Sequence, residues 1–311
     1  MANPAINLQQ VIKFFNPAQS LSGQNLRTWF VPRPETPRSR VRVFLQAETD
    51  PVKILFVGHR GSGKSTELNK LAEELDGRFF PIRLDVLDVI GSSTPEYEDL
   101  MRAMSTFVTR QCIDAGVSGR PLNEPLRNRW REFSDWWHYR IAGLEVRPGV
   151  AETTTYAQLS LLLGDIEVGA RQSAFDRERI REEISRRMPE LVRYLNMVIQ
   201  EAHNEPSGRR LLIIVENLDK VDLDSARNIF REHAATITAP EAAMIFTFPL
   251  ALRHSEDYRT VRSYFSNNDY FLQNIALYHL DGTEDDAGWT MLRRLVRMRL
   301  RAELLADGVL D

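Results

Sequence analysis

The chain of 311 residues has one cysteine, Cys112. A disulfide framework and a cysteine-based metal site are thereby excluded, and Cys112 reads as a buried or idle thiol. Charge of one sign is lacking too: 40 Lys and Arg against 43 Asp and Glu leave −3. The basic excess that marks a nucleic-acid-binding domain is missing. No segment reaches the roughly 18 apolar residues that a membrane span needs. The opening "MANPAINLQQ" has neither the charged head nor the apolar stretch of a secretory signal. These absences point to a soluble, cytoplasmic protein that does not engage a membrane.

What remains is ordinary globular composition, with 43% hydrophobic and 27% charged residues. The length exceeds the roughly 250–300 residues that one core can organise, so one large domain with attachments, or two domains, is expected. Residues 1–50 carry a helical pattern around "LQQVIKFFN". Then follows "WFVPRPETPRSRVRVFL", whose Pro32, Pro34 and Pro37 predict an extended, semi-rigid approach. Residues 51–270 alternate apolar runs with helical patterns. "VKILFVG", "RFFPIRLDVL", "RRLLIIVENLD" and "AAMIFTFP" read as buried strands. "STELNKLAEEL", "PEYEDLMRAMSTFVTRQCIDAG" and "SARNIFREHAATI" read as helices. That alternation predicts an α/β fold, a parallel sheet covered by helices.

Within it, residues 118–175 break the pattern and read as a helical insertion. The stretch "DRERIREEISRRMPELVRYLNMVIQEAHN" is amphipathic, with Pro189 expected to kink or split it. Residues 271–311 end in "EDDAGWTMLRRLVRMRLRAELL", a final helix at which the chain is expected to break off.

The most informative stretch is "VGHRGSGKST" at 57–66, directly behind an apolar strand and ahead of a helix. Gly58, Gly63, Lys64 and Ser65 satisfy G-x-x-x-x-G-K-[ST]. A phosphate is bulky and anionic, so successive backbone N–H groups must turn inward around it, which asks for glycine-like turns. The helix that follows adds free N–H groups and a positive dipole end. Lys64 supplies charge to the β and γ phosphates, and Ser65 offers a hydroxyl to Mg²⁺. His59, Arg60, Gly61 and Ser62 fill the variable positions as backbone donors. Thr66 closes the binding stretch as a first-turn residue.

A magnesium–nucleotide site also wants a carboxylate at a strand end. "LLIIVENLDK" supplies Glu216, as a second metal ligand, and Asp219, as a base or supporting acid. Between them stands Asn217, where water-activating enzymes often carry glutamate; an amide cannot take up a proton at neutral pH and can only orient water. Binding is therefore better supported than hydrolysis. Thr247, near the carboxyl end of "MIFTFP", stands where ligand groups collect in parallel sheets, and either senses the γ-phosphate or is there for its β-propensity.

These residues resemble P-loop ATPases of the AAA+ and STAND (signal-transduction ATPase) group. "ILFVGHRGSGKSTELNKLAEEL" resembles the opening of origin-recognition-like and STAND domains, "LLIIVENLDK" their Walker B strand, and "AMIFTFPLAL" the strand that carries sensor 1. "RPETPRSRVRVFL" is similar to the basic segment that lies near adenine in them. The resemblance spans about residues 28–265, outside the insertion. It implies Lys64 and Ser65 as Walker A, Glu216 and Asp219 as Walker B, and Thr247 as sensor 1. Glu216 departs from the usual aspartate. The resemblance also implies ATP with Mg²⁺, and residues 271–311 as the start of a helical lid. A guanine-reading N-K-x-D is absent, since "NKLA" at 69–72 has no aspartate. Arg253, Arg259 and Arg262 are candidates for an arginine finger by position alone.

The expected function is an ATP-dependent molecular switch with slow Mg²⁺-dependent hydrolysis. The alternatives are a nucleotide-gated protein-interaction scaffold with little turnover, or a DNA-associated ATPase. Two patches suggest partners. Trp130, Phe133, Trp136, Trp137 and Tyr139 are interleaved with Arg127, Arg129, Arg131 and Arg140; such a cluster is a local core, a protein-docking hot spot or a single-strand stacking surface. In the terminal helix, Arg293, Arg297 and Arg301 share one face, which is either solvated or faces an acidic partner.

Overall fold

The structure is a computed structural model that describes residues 4–5, 7–16, 19–33, 36–90, 94–116, 174–203 and 208–300. Among them, a five-stranded sheet runs in the order β2-β3-β4-β1-β5. The strands are β1 (Lys53–Gly58), β2 (Phe79–Asp85), β3 (Arg210–Glu216), β4 (Ala243–Phe248) and β5 (Asp269–Leu272). It is an α/β fold with a parallel sheet flanked by helices, as the alternation of patterns predicts. No helix among the described residues is long and apolar enough to cross a membrane. The chain divides into two compact units: residues 1–47, 56–76 and 270–311 form the first, and residues 48–55 and 77–269 the second.

The first unit holds α1 (Leu8–Phe14), α2 (Gly23–Trp29), α3 (Pro37–Ala47) and α4 (Lys64–Leu75). Helix α4 buries Leu68, Leu71, Ala72 and Leu75 at helical spacing. Helix α3 corrects one expectation, because the proline-rich stretch does not stay extended. Pro37 is the first helical residue, where its missing N–H costs nothing. Val41 and Leu45 then fall on one buried face. Arg38, one turn before Val41, is fixed by Glu67 and Glu74 of α4.

The second unit is built on β2, β3 and β4. Phe79 to Asp85 pair in parallel with Arg210 to Glu216, and Leu212 to Val215 with Ala243 to Phe246. Residues 211–216 and 243–248 are buried without alternation, as expected of strands covered on both faces. Around them lie α5 (Val86–Ile90), α6 (Tyr97–Gly116), α7 (Ala174–Arg186) and α8 (Met188–His203). Pro189 does split the long amphipathic stretch: α8 begins one residue before it. Helix α8 packs on α6 and on β3. Phe230, Phe246, Phe248 and Phe265 meet in an aromatic cluster, with the Phe230 and Phe248 centroids 4.9 Å apart at 76°. Cys112 is half-buried.

The single helix expected at "SARNIFREHAATI" is interrupted. It consists of α9 (Leu223–Arg227), a π-helical turn (Asn228–Glu232) and α10 (Ala234–Ile237). A wider turn admits one extra residue. Here Asn228 Oδ1 accepts the Tyr97 amide at 2.9 Å, and the His233 ring stacks on Tyr97 at 3.5 Å. The unit continues with α11 (Leu250–Arg253) and α12 (Tyr258–Tyr264). Strand β5 has four residues, too few for a period to show. The final helix, α13 (Asp286–Arg297), is in the first unit and starts at Asp285, whose side chain accepts the Ala287 and Gly288 amides. Residues 118–173 of the insertion, with its Trp and Arg cluster, and Arg301 lie outside the described residues. Of the arginine face, Arg293 is half-buried and Arg297 exposed; Arg299 is buried, its guanidinium over the rings of Phe15 and Trp29 at 5.7 and 5.9 Å.

His203 links the end of α8 to the start of β3, its Nε2 accepting the Leu211 amide at 3.0 Å. Accepting requires a neutral ring. Burial, helped by the charge of Arg210, pushes this imidazole below its ordinary range. With the folded pKa below the unfolded one, the unfolded chain takes up the proton first. Stability therefore falls as pH drops below about 6.5, and the loss is complete below the folded pKa. His203→Gln supplies an acceptor that does not titrate. Urea unfolding between pH 7 and 5 should show a flatter loss of midpoint for this variant than for wild type.

Candidate functional site

Residues 58–66 all lie in the first unit, where they join β1 to α4. The chain leaves the strand at Gly58, turns through His59 to Gly63 and enters the helix at Lys64. Gly61 and Gly63 have φ of +83° and +90°, a left-handed backbone that costs an L side chain roughly 1–2 kcal/mol. Gly58 is held by close approach instead: a Cβ there would stand 2.9 Å from the Leu272 carbonyl oxygen. The Ser62 amide donates to His59 O at 3.1 Å and closes the turn. His59, Arg60 and Gly61 are exposed, and the His59 ring sits edge-on to Phe271 at 6.1 Å.

Lys64 is buried beneath this loop, 6% exposed, and its Nζ donates to the carbonyls of Gly58 and His59 at 2.8 Å each. Those oxygens are thereby drawn to one cation. Ser65 follows, half-buried, in the first turn. Thr66 is engaged elsewhere: its Oγ1 accepts the Leu21 amide at 3.2 Å, while Asn69 Nδ2 donates to Leu21 O at 2.6 Å. Thr66 thus anchors the segment before α2 on α4.

Whether these residues fit a polyphosphate turns on what the loop offers. The first-turn amides of α4 have no carbonyl one turn back to receive them. The Ser62 hydroxyl is buried with no hydrogen-bond partner. Two left-handed glycines and a desolvated ammonium complete the set. With the Gly58 and His59 carbonyls taken up by Lys64, the free backbone groups at the helix start are amides, which suit an anion. Such a set is compatible with a bound anion, and Ser65 is the one first-turn residue of α4 besides Thr66 that carries a hydroxyl. Among the described residues, no three His, Cys, Asp or Glu side chains group into a metal site.

Glu216, Asp219 and Thr247 belong to the second unit. Glu216 ends β3 beside Asp85, the last residue of β2. It is 3% exposed, and its Oε1 accepts from Arg83 Nε at 2.8 Å and from Nη2. A cation taking that oxygen competes with a guanidinium. Asn217 has φ of 67°, a left-handed position, and its Nδ2 donates to Asp85 Oδ2 at 2.5 Å. An amide suits this position. Asparagine tolerates this backbone, and its donor suits the aspartate opposite. Thr247 is fully buried; its Oγ1 accepts the Leu218 amide at 3.1 Å and reaches Val215 O at 3.5 Å. It ties β4 to the turn after β3. Asp219 sits half-buried in the short 3₁₀ turn Leu218–Lys220.

Sequence reading missed Arg83 and Asp85. Their signal was present, since strand residues two apart share a face, but only the pairing of β2 with β3 gives it meaning. Of the arginine candidates, Arg262 Nε donates to Asp269 Oδ1 at 2.5 Å, Arg253 lies 4.0 Å from the same carboxylate, and Arg259 is exposed.

Replacing Asn217 tests this corner. Asn217→Glu puts a side chain without asparagine's tolerance of the left-handed region at φ 67° and a second carboxylate against Asp85. It should destabilise the chain by about 1–3 kcal/mol. Asn217→Gly gives up one hydrogen bond but relieves the backbone and should stay within about 1 kcal/mol of wild type. Denaturant midpoints decide, and a glutamate variant as stable as wild type contradicts the assignment.

No protein-family model matches the chain, and no curated protein matches it significantly.

Proposed function

We propose that the chain binds magnesium ATP through residues 58–66 and acts as a nucleotide-dependent molecular switch with slow hydrolysis. The observation that carries this reading is the backbone of the loop. Two glycines lie in the left-handed region, the Gly58 and His59 carbonyls are gathered on Lys64, the Ser62 hydroxyl is orphaned, and the helix that follows starts with amides to spare. In this reading Lys64 takes β- and γ-phosphate oxygens, and Ser65 takes magnesium. When bound, magnesium neutralises phosphate charge and holds the oxygens in place. The choice of adenine over guanine rests on the resemblance and on the missing N-K-x-D.

Hydrolysis needs a carboxylate as well, and Glu216 and Asp219 are the candidates. A second reading, a nucleotide-gated interaction scaffold with little turnover, is favoured by one specific observation. Glu216 is held by Arg83, and the next residue is an amide bound to Asp85. Protein partners and self-association through the lid or the insertion belong to that reading.

Calorimetric titration tests the binding claim. Wild type should bind magnesium ATP in preference to magnesium GTP. Lys64→Ala, which removes a charge-assisted contact worth about 1.5–3 kcal/mol, should weaken binding by about ten- to a hundredfold. Phosphate release then separates the two readings. In an ATPase, Glu216→Gln lowers the rate by about a hundredfold; in a scaffold, wild type and variant release phosphate at the same near-background rate.

A further inference from the structure

We propose that Arg33 is a positioning residue for the phosphate loop, fixing the Ser62–Gly63 peptide so that the Gly63 amide is presented to the polyphosphate. The inference rests on the reading of residues 58–66 as a nucleotide site and goes beyond the motif, because Arg33 lies 25 residues before the loop begins. Its guanidinium grips two carbonyls: Nη2 donates to Ser62 O, and Nη1 donates to Gln273 O at 2.8 Å, just past β5. A trans peptide is planar, so its C=O and the following N–H point in opposite directions. Holding the Ser62 oxygen toward Arg33 turns the Gly63 N–H to the other side of the loop. Gly63 is suited to this on two counts. Its φ is +90°, and a Cβ would stand 3.0 Å from Arg33 Nη2.

Arg33 is itself aimed by a buried chain of charges. Its Nε lies 3.8 Å from Glu67 Oε1. Glu67, 2% exposed in the first turn of α4, also accepts from Thr36 Oγ1 at 3.0 Å and from Arg38 Nε at 2.9 Å. Arg38 continues to Glu74, which also pairs with Arg42 at 3.3 Å. Helices α3 and α4 therefore brace the loop from behind through one guanidinium. A lysine cannot replace it fully, because a single ammonium lacks the planar fork that spans two carbonyls and a carboxylate. Since Arg33 acts on the loop peptide, its loss should penalise the phosphate part of any ligand and leave base preference unchanged.

The test is calorimetry on the full chain with two probes, magnesium ATP and magnesium tripolyphosphate, after far-UV circular dichroism has shown each variant folded. Arg33→Gln should weaken both probes by the same factor, about tenfold, and Arg33→Lys should recover only part of that loss. Unchanged binding of both probes by Arg33→Gln overturns the proposal, as does a loss confined to ATP, which would make Arg33 a reader of the nucleoside. Should Arg33→Gln fail to fold, Glu67→Gln carries the test. It loosens the aim of Arg33 and should weaken both probes equally by a smaller factor; no change overturns the proposal. Wild-type protein that binds neither probe removes the underlying nucleotide reading and this proposal with it. Wild-type binding beside an intact Arg33→Gln variant removes this proposal alone.

Discussion

The orientation of a few peptide planes between Gly58 and Ser65 is the constraint on which the functional reading depends. A loop binds an anion with its backbone only if the N–H groups converge and the carbonyls are taken up elsewhere. Here the carbonyls of Gly58 and His59 meet Lys64, and that of Ser62 meets Arg33. Each cation removes an acceptor that would otherwise repel phosphate. The left-handed glycines make the turn, and the cations hold it.

The rest of the first unit follows from the need to support those two cations. Lys64 is placed by being the first residue of α4, so its position is a property of the local fold. Arg33 is placed by distant partners: Glu67 across α4, then Arg38 and Glu74. Truncating one member of such a buried set leaves an uncompensated charge, a larger penalty than the pair's own net worth. In the second unit the same logic governs the ends of β2 and β3. The Arg83–Glu216 pair and the Asn217–Asp85 bond satisfy charges and donors that the strand ends would otherwise bury alone. That satisfaction is also why Glu216 is a guarded, rather than an open, metal candidate.

The turn between β1 and α4 was legible because its signal is local: glycines, lysine and serine between an apolar run and a helical pattern. The strands β3 and β4 were legible because five or six consecutive apolar residues admit few other readings. Helix α3 was misread because three prolines outweighed the spacing of Val41 and Leu45, although Pro37 stands at the one helical position that favours it. Strand β5 was too short to show a period, and the π-helical turn at Asn228–Glu232 arises from contacts with Tyr97, 131 positions away from Asn228. Arg33 could not be chosen from the sequence, and the shared face of Arg83 and Asp85 gains meaning only once β2 pairs with β3. Their partners lie 29 to 240 positions distant and are supplied only by the fold. Glu216, Asp219 and Thr247 were nominated by position at strand ends, and the bonds of Glu216 and Thr247 give those two a reason that does not depend on a nucleotide.

The most direct measurement of the central claim is amide hydrogen exchange across residues 57–67, with and without millimolar magnesium ATP. If the loop amides enclose the phosphates, exchange at Gly61, Gly63, Ser65 and Thr66 should slow on addition of nucleotide, and EDTA should reverse part of the effect. Exchange that is the same in both conditions, or slowed everywhere except in this loop, would contradict the account.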